Sequence, residues 1–389
     1  MKTSSVVTGL AAALALGMHL WPRAGNGIRG RAVPPATWAV SAPVQFPRSP
    51  AFFFEELLDP GPGVASVHVA SLAEFAPGRL AACWYGGSME GARDVAIYLT
   101  VREAAQGSHW SSPTPVVFAE SAERELQRYV KKVGNPLLFS DGRGQLQLLF
   151  VSIAAGGWSG SSLNFKESPD AGRTWSPARR LVLSPFYNVS ELVKNAPVPV
   201  EGGGWSVPIY HEMIGKFPEL LWLGVPDALA PAVRSRPFGG RTAFQPALVP
   251  LGARRALLLC RTAGDRTELF GSRTEDGGVS WTSPAPVGLP NSGSGIAALR
   301  MTDGRILLAF NDTHSGRDNL RLAISSDEGA TWRRGATVAS EPGAEFSYPY
   351  LIQTRDGRIH LAFTWKRIAI RHVEFNTAWL DATTKEGSP

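Results

Sequence analysis

Polar side chains suited to binding a sugar lie at the edges of several apolar runs in this sequence. Their amide, hydroxyl, imidazole, carboxylate and cationic groups can hydrogen-bond sugar hydroxyls and hold a carboxylate. The residues are Asn135, Lys194, Asn195, Tyr210, His211, Glu212 and Arg367. Trp84 or Trp158 could stack on a sugar face. Each polar residue could equally satisfy backbone groups in a wet channel, and the sequence leaves both interpretations open.

An eight-residue element recurs along the chain and indicates the architecture that positions these residues. It reads SPDAGRTW at 168–175, TEDGGVSW at 274–281 and SSDEGATW at 325–332, and a worn copy ends at Trp110. A catalytic centre is normally built once, so repetition is more typical of architecture than of a site. The Asp can accept backbone N–H groups within its own turn, and the Trp can pack under the corner. We predict that each copy is a hairpin corner after the third strand of a repeat unit.

Short apolar runs that follow tight turns predict the strands of each unit. Typical runs are GRLAACWYG, GQLQLLFVSI, RRALLLCRT, GRILLAFND and GRIHLAFTW. The turns, about 50 to 64 residues apart, lie at 77–78, 141–142, 201–202, 251–252, 303–304 and 356–357. A Gly in each turn can provide a positive φ, and no stretch shows sustained helical periodicity. Six units of about four strands predict an all-β, six-bladed β-propeller with Asp-box repeats, in which AFFFEELLD closes the ring against RHVEFNTAWL.

The composition is that of a globular chain with many turns. Of the 389 residues, 44% are hydrophobic and 19% are charged, and 41 are Gly. The net charge is +6, but five basic residues precede the first acidic residue, Glu55, which leaves +1 for the rest of the chain. A nearly neutral body argues against nucleic acid as a partner. Cys83 and Cys260 lie in apolar strands and are expected to be buried thiols, without the spacing of a zinc site.

Residues 1–32 are interpreted as an export signal or a short N-terminal anchor. Lys2 precedes an apolar run from about Val6 to Trp21, which suits a secretory signal and is short for a membrane span. We expect export to the periplasm or the outside, with an uncleaved anchor as the rival interpretation and no other membrane partner. A linker is predicted over 33–48, the propeller over 49–380 and a tail over 381–389.

Three or four such boxes in a six-bladed propeller resemble the sialidase (neuraminidase) superfamily, whose repeat is called the BNR repeat or Asp-box. The resemblance covers about residues 50–375 and is greatest to a bacterial branch of sialidase-like proteins with WYGG…EG…D and FSYP…W…R…H segments. It implies three arginines that clamp a substrate carboxylate, a Tyr nucleophile activated by a Glu, and an Asp acid/base. Arginine suits the clamp because it is always charged and binds carboxylates in a bidentate manner.

Three residues match that pattern in order. Arg261 and Arg317 stand where the family places its second and third arginines, each one strand ahead of a box. Tyr348, in EFSYPYLIQ, matches the tyrosine that follows the last box, although the family reads Y-S-x-L and this chain reads Y-P-Y-L. The resemblance therefore implies that both arginines bind a carboxylate and that Tyr348 is the nucleophile or a transition-state stabiliser.

Two positions depart from the family pattern. His68 falls where the first Arg would be, and Gln245 stands in place of the Glu that activates the tyrosine. Gln cannot accept a proton, so Glu212 or a water-mediated route would have to replace it. Glu90 takes the position of the acid/base Asp, with Asp94 shortly after it, so that a carboxylate is kept for acid catalysis.

Three functions are compatible with these residues. The resemblance implies an exo-acting glycoside hydrolase that releases a terminal acidic sugar, sialic acid or a relative, from a glycan. A polysaccharide lyase on a uronic acid would instead use Tyr210, His211 or His68 as a base. A non-catalytic glycan-binding propeller is the third hypothesis. The resemblance implies an acidic glycan as partner. Because the sequence has no nucleotide-binding or EF-hand motif, we expect neither a cofactor nor a metal.

Overall fold

Short strands alternating with tight turns form six antiparallel sheets in this chain. The computed structural model describes residues 37–384, apart from 45, 48, 62, 105–108, 184–188 and 225–232. The predicted leader over 1–32 lies outside the described residues. No helix within the described part of the chain is long and apolar enough to cross a membrane.

Each sheet is one blade, and its strands run outward in chain order, except in the last blade, whose outermost strand comes from near the start of the described chain. Blade 1 consists of β2 (Ser66–Ala76), β3 (Arg79–Gly87), β4 (Ala96–Arg102) and β5 (Thr114–Phe118). Blade 2 consists of β6 (Lys132–Phe139), β7 (Leu146–Ile153), β8 (Ser161–Ser168) and β9 (Arg179–Arg180). Blade 3 consists of β10 (Leu192–Val193), β11 (Val198–Pro199), β12 (Trp205–His211), β13 (Phe217–Leu223) and β14 (Val233–Ser235).

The remaining three blades follow the same plan. Blade 4 consists of β15 (Ala243–Pro250), β16 (Ala256–Thr262), β17 (Glu268–Thr274) and β18 (Ala285–Pro290). Blade 5 consists of β19 (Ala297–Arg300), β20 (Ile306–Phe310), β21 (Asn319–Ser325) and β22 (Arg333–Ser340). Blade 6 consists of β23 (Phe346–Gln353), β24 (Ile359–Trp365), β25 (Ala369–Phe375) and β1 (Phe53–Leu58).

The inner strands of successive blades contact one another around a closed ring. The contacts run from β2 to β6, β10 with β11, β15, β19, β23 and back to β2. The predicted six-bladed β-propeller is therefore confirmed. The ring closes through antiparallel pairing of β1 with β25, in which Phe53 faces Phe375, as the sequence predicts.

The six predicted Gly turns all connect the first strand of a blade to the second. At five of them the Gly has a positive φ, for example 78° at Gly142 and 88° at Gly357. Gly252 differs, because it is not among the positive-φ glycines of the described chain. Its turn instead closes through backbone hydrogen bonds from Leu251 and Gly252 to Arg255. All six turns lie at the end of the channel opposite to the starts of the inner strands.

The three intact boxes each follow the third strand of a blade, as predicted. In the first copy, Asp170 accepts the backbone N–H of Thr174 at 2.8 Å and its hydroxyl at 2.7 Å. The second and third copies repeat this pair of bonds at Asp276 and Asp327. The tryptophans of the three boxes pack against the hydrophobic core. The element is a structural corner, remote from the channel.

Two short helices, which the sequence analysis did not predict, flank the sheets. Helix α1 (Ala119–Leu126) connects blades 1 and 2, and α2 (Thr377–Thr383) follows the last strand. Both are about two turns long, which is too short to show a helical period. In the segment predicted as a linker, Trp38 is fully buried and its ring lies 6.0 Å from that of Trp222. Cys83 and Cys260 are buried free thiols, as expected.

Candidate functional site

The candidate site lies at the end of the channel where the inner strands begin. In an antiparallel sheet the start of one strand and the end of the next share an edge, so the loops between second and third strands surround this end. Glu90 and Arg317 lie in two of these loops, and Arg261 lies near the end of β16. His68 and Tyr348 lie near the starts of β2 and β23. Side chains distant in sequence therefore share one channel mouth.

Bulges in the inner strands carry several of these side chains. The pairing register shifts near the start of β2, β6, β15 and β23. A non-glycine residue has a positive φ at each shift, namely Val69 at 51°, Asn135 at 44°, Gln245 at 50° and Tyr348 at 53°. Such conformations cost energy and cluster at functional sites, where bulges re-aim side chains. Asn135, Gln245 and Tyr348 each precede a Pro, a repeated signal that sequence reasoning did not use.

Tyr348 lies at the centre of the mouth. Its ring packs edge-on against His68, with 4.6 Å between ring centres, and the Arg317 guanidinium lies 5.6 Å from its centre. Gly295 separates it from Gln245, because a Cβ on Gly295 would lie 3.2 Å from the tyrosine ring and 3.5 Å from Gln245 Oε1. The structure thus brings together four of the residues predicted from the sequence.

Arg261 is held entirely by neutral groups. Its Nη1 donates to Gln245 Oε1 at 2.9 Å, and its Nη2 donates to the carbonyl of Gly293. The guanidinium lies 4.6 Å from the ring centre of Phe244, and its buried Nε has no hydrogen-bond partner among the described residues. No carboxylate within the described chain forms an ion pair with it. Glu212 is near enough for the two charges to interact but forms no ion pair with Arg261, and a partly buried cation without an ion-pair partner favours binding of an anion.

Gln245 links Arg261 to a second layer of buried polar groups. Because Arg can only donate, the amide oxygen of Gln245 faces Arg261 and its Nε2 donates to Tyr210 Oη at 2.9 Å. Asn135 Nδ2 donates to the same hydroxyl at 3.3 Å. Burial raises the pKa of Tyr210 well above its usual value, and the charge of Glu212 acts in the same direction. Tyr210 therefore remains a neutral phenol that orients Gln245.

Arg367 lies on the His68 side of the mouth and pairs with two carboxylates. Its Nη1 forms an ion pair with Glu90 at 2.5 Å, and its Nε donates to Glu345 at 2.6 Å. Glu345 also pairs with Arg317 Nη1 at 3.4 Å. The backbone carbonyl of Arg367 accepts the N–H of Val67, next to His68. Sequence reasoning missed Glu345, whose only signal was its position three residues before Tyr348.

Two carboxyl groups near the mouth have pKa values shifted in opposite directions. Burial raises the pKa of Glu90, but the hydrogen bonds from Arg367 and Trp158 and the charge of Arg367 outweigh it, and the net pKa is lowered. Burial raises the pKa of Glu212, and the charges of Lys216 and Arg261 oppose this only in part, so the net pKa is raised. Glu90 thus favours the ionised state, and Glu212 holds its proton to higher pH than an ordinary Glu.

His68 is a buried neutral imidazole. Burial lowers its pKa to about 4, with a further lowering from the charge of Arg367. It is 2% exposed, and its Nδ1 has no hydrogen-bond partner among the described residues. A neutral ring cannot replace the charge of an arginine, and the two arginines on this side of the mouth, Arg367 and Arg317, are both paired with Glu345.

Other predicted site residues support loops or strands in this structure. Asp94 is exposed and accepts the N–H and hydroxyl of Ser88 at 2.9 Å, which shapes the loop that carries Glu90. His211 stacks on Phe217, with 4.9 Å between ring centres, and accepts the N–H of Ile214 at 3.2 Å. Direct contact of these residues with a substrate stays a prediction.

The two candidate stacking tryptophans differ in exposure. Trp84 is fully buried in the hydrophobic core, so the prediction that it stacks on a sugar is wrong. Trp158 lies at the rim, where its Nε1 donates to Glu90 at 3.2 Å and its ring lies 4.8 Å from Lys132 Nζ. One face of the mouth is therefore aromatic.

The chain belongs to the family described as "BNR repeat-like domain", whose model matches residues 78–361. No curated protein sequence matches it. A Dyadobacter fermentans protein of unknown function has a similar structure, with a TM-score of 0.65, 13% identity, and coverage of 83% of this chain and 97% of that one.

Two sialidase structures are also similar. For the leech intramolecular trans-sialidase in complex with 2,7-anhydro-Neu5Ac, the TM-score is 0.62 at 13% identity, over 82% of this chain and 69% of that one. For the NanB sialidase of Streptococcus pneumoniae, it is 0.64 at 11% identity, over 84% and 70%. At these identities the likeness establishes a shared fold alone.

Proposed function

We propose that this protein is a sialidase-like, exo-acting glycoside hydrolase that releases a terminal acidic sugar, sialic acid or a relative, from a glycan. The observation that carries the proposal is Arg261, a partly buried cation whose described hydrogen-bond partners are all neutral. Its partner Gln245 and the ring of Tyr348 both lie against Gly295, and Arg317 lies over the same ring. A sugar carboxylate would supply the missing negative charge. The similarity in fold to sialidases supports the same class of substrate.

Each side chain of the mouth then has a defined task. Arg261 and Arg317 bind the carboxylate, and their forked N–H groups fix the orientation of the sugar ring. The Tyr348 hydroxyl, which has no hydrogen-bond partner among the described residues, faces the anomeric carbon as nucleophile or stabilises positive charge there. Trp158 provides an apolar face beside the leaving group.

The opposite pKa shifts of Glu90 and Glu212 favour a division of labour between them. A carboxyl group with a raised pKa suits a general acid, and one with a lowered pKa suits a general base. We assign proton donation to the leaving oxygen to Glu212, and acceptance of the proton from the attacking group, water or the Tyr348 hydroxyl, to Glu90, the reverse of the order that the family resemblance implies. Gln245 takes no part in proton transfer and instead holds Arg261.

Product analysis by mass spectrometry tests the proposal. The full-length protein is incubated with sialyllactose and with uronic-acid oligosaccharides, alongside Arg261→Ala and a control variant, Arg321→Ala. Arg321 pairs with Asp312 at 2.8 Å in blade 5. We expect a free acidic monosaccharide from the wild type and the control, and about 10- to 100-fold less from Arg261→Ala, since a hydrogen bond to a charged group contributes about 1.5–3 kcal/mol.

Two results would contradict the proposed hydrolase function. A product lighter by one water than the hydrolysis product, with a new double bond, would identify a lyase. Binding of an acidic oligosaccharide that depends on Arg261, with no product from any substrate, would identify a glycan-binding propeller.

A further inference from the structure

Lys194 is a buried lysine at the centre of the channel without an acidic partner among the described residues. It lies in the gap between β10 and β11, where the inner strand of blade 3 is interrupted, and it is 3% exposed. Its Nζ donates to Asn195 Oδ1 at 2.9 Å and to the backbone carbonyls of Ile296 and Pro349. All three contacts are oxygen acceptors, so the Lys194 amine acts as a donor to each of them.

The groups that Lys194 and Asn195 contact lie in the inner strands of blades 4 and 6 and directly before the inner strand of blade 5. Pro349 directly follows Tyr348 in blade 6. Ile296 directly follows Gly295, the residue that separates Tyr348 from Gln245, in blade 5. Asn195 Nδ2 donates to the carbonyl of Pro246 at 2.8 Å, and Pro246 directly follows Gln245 in blade 4.

These contacts hold segments that are strained. Gln245 and Tyr348 both have left-handed backbone conformations, at φ of 50° and 53°. Such residues persist only where the surrounding structure over-determines them. A carbonyl fixed immediately after each strained residue does this, because it sets the direction of the peptide unit that follows.

A lysine is a costly way to fill this space. Burial lowers the pKa of Lys194 well below its usual value, and the charge of Arg261 acts in the same direction. Packing alone would be met at lower cost by an apolar side chain of similar volume. Hydrogen bonds to the three carbonyl and amide oxygens offset part of the desolvation cost of Lys194. A Met or Leu side chain has no donor and could not hold these oxygens.

We propose that Lys194 and Asn195 are positioning residues of the channel mouth, which hold the inner strands of blades 4, 5 and 6 so that Tyr348 and Arg261 face the same ligand. The proposal deepens the proposed function and rests on it for its catalytic consequence. Its structural content does not depend on any substrate, so the two can fail separately.

Hydrogen–deuterium exchange of the full-length protein without ligand tests the structural content. The variant Lys194→Met removes the donors and keeps a similar volume. We expect at least tenfold faster exchange in β15, β19 and β23, and no change in β2 and β6. Lys166→Met is the matched control, because Lys166 is also 3% exposed but pairs with Glu125 at 2.8 Å, away from the mouth. It should leave β19 and β23 unchanged.

A second variant, Asn195→Ala, tests the same role if Lys194→Met does not fold. Asn195→Ala removes the bond to Pro246 and one acceptor of Lys194, and it should raise exchange mainly in β15. Unchanged exchange in these strands, or a uniform rise in all six inner strands, would overturn the positioning role. In enzyme assays we expect both variants to lower kcat more than they raise KM. A rise in KM with kcat unchanged would contradict positioning. A wild type without activity would overturn the proposed function, but the exchange result would still test the positioning role.

Discussion

Arg261 donates to the Gln245 side-chain oxygen across 2.9 Å, where a carboxylate would have formed an ion pair. The amide orients the guanidinium without neutralising it. The other described groups in contact with Arg261, the Gly293 carbonyl and the Phe244 ring, are also neutral, so the charge of Arg261 remains available to a ligand. The departure from the family pattern at Gln245 therefore changes the electrostatics of the mouth as well as removing a base.

Gln245→Glu should weaken the binding of an acidic ligand by about 10- to 100-fold, because the new carboxylate would neutralise Arg261 and repel the ligand. Calorimetry with 2-deoxy-2,3-didehydro-N-acetylneuraminic acid measures the effect. The uncharged methyl ester of the same compound is the control and should lose much less affinity. Equal losses for acid and ester would show that the substitution acts through packing.

Activity should follow a bell-shaped dependence on pH set by two carboxyl groups. The acidic limb should lie below pH 4.5, where Glu90 becomes protonated, since its pKa is lowered from that value. The alkaline limb should lie above pH 4.5, where Glu212 loses its proton, since its pKa is raised. Profiles of kcat/KM against pH for the wild type measure both limbs.

Glu212→Gln should abolish the alkaline limb and lower kcat by about 100-fold or more, in line with the usual contribution of a general acid. Glu201→Gln, at an exposed hairpin turn, is the control and should keep the wild-type profile. An alkaline limb that survives in Glu212→Gln would assign it to another group.

The propeller was predictable from the sequence because its signals are local. A Gly turn between first and second strands and a box after the third strand depend only on neighbouring residues, so the repeats at Gly142 and Asp170 identify blades directly. The closing strand was also predictable from local sequence, because residues 51–59 form a short apolar run of the kind that predicts a strand.

The site was predictable only in part, because its geometry depends on contacts between blades. Arg261, Tyr348 and Gln245 were found through their place in the repeat. Glu345 was not assigned a role, and Lys194 was interpreted only as a ligand-binding residue, since what they do is decided by partners far away in sequence, such as Arg367 and the carbonyl of Pro349. Pattern and spacing do not encode the direction of a side chain at a bulge.

Stability should decrease as the pH falls from about 6.5 to 4, because buried histidines cannot accept protons in the folded state. The pKa of His68 is lowered from 6.5 to about 4, so in this range the unfolded chain binds a proton that the native state does not. The stability that this neutral imidazole contributes is complete above pH 6.5 and is lost as the pH falls toward 4. The difference for His68 corresponds to ~3 kcal/mol.

Thermal unfolding of His68→Gln against pH measures this contribution. The variant should lose less stability than the wild type between pH 6.5 and 4.5. Some dependence should remain, because burial also lowers the pKa of His211 to about 4. His314→Gln, at an exposed position, should behave like the wild type. An unchanged slope in His68→Gln would show that this imidazole is already protonated in the folded state.

The closing strand should depend on Glu56 far more than on its neighbour. Glu56 accepts Trp110 Nε1 at 2.7 Å and His372 Nδ1 at 3.0 Å, and the His372 side chain is fully buried. Glu56→Ala leaves the buried His372 and the half-buried Trp110 without this acceptor and should lower the free energy of unfolding by about 1–3 kcal/mol.

Glu55→Ala provides the matched control on the same strand. The Glu55 side chain is 43% exposed and only approaches Arg371 at 3.5 Å, so its loss should cost less than about 1 kcal/mol. Urea denaturation of both variants followed by tryptophan fluorescence measures the difference. Because β1, the first described strand of the chain, pairs with β25 in the last blade, weakening β1 should open blade 6 first. Hydrogen exchange in β25 should then be faster in Glu56→Ala than in Glu55→Ala. Equal stability of the two variants would mean that backbone pairing alone, without the Glu56 contacts, closes the ring.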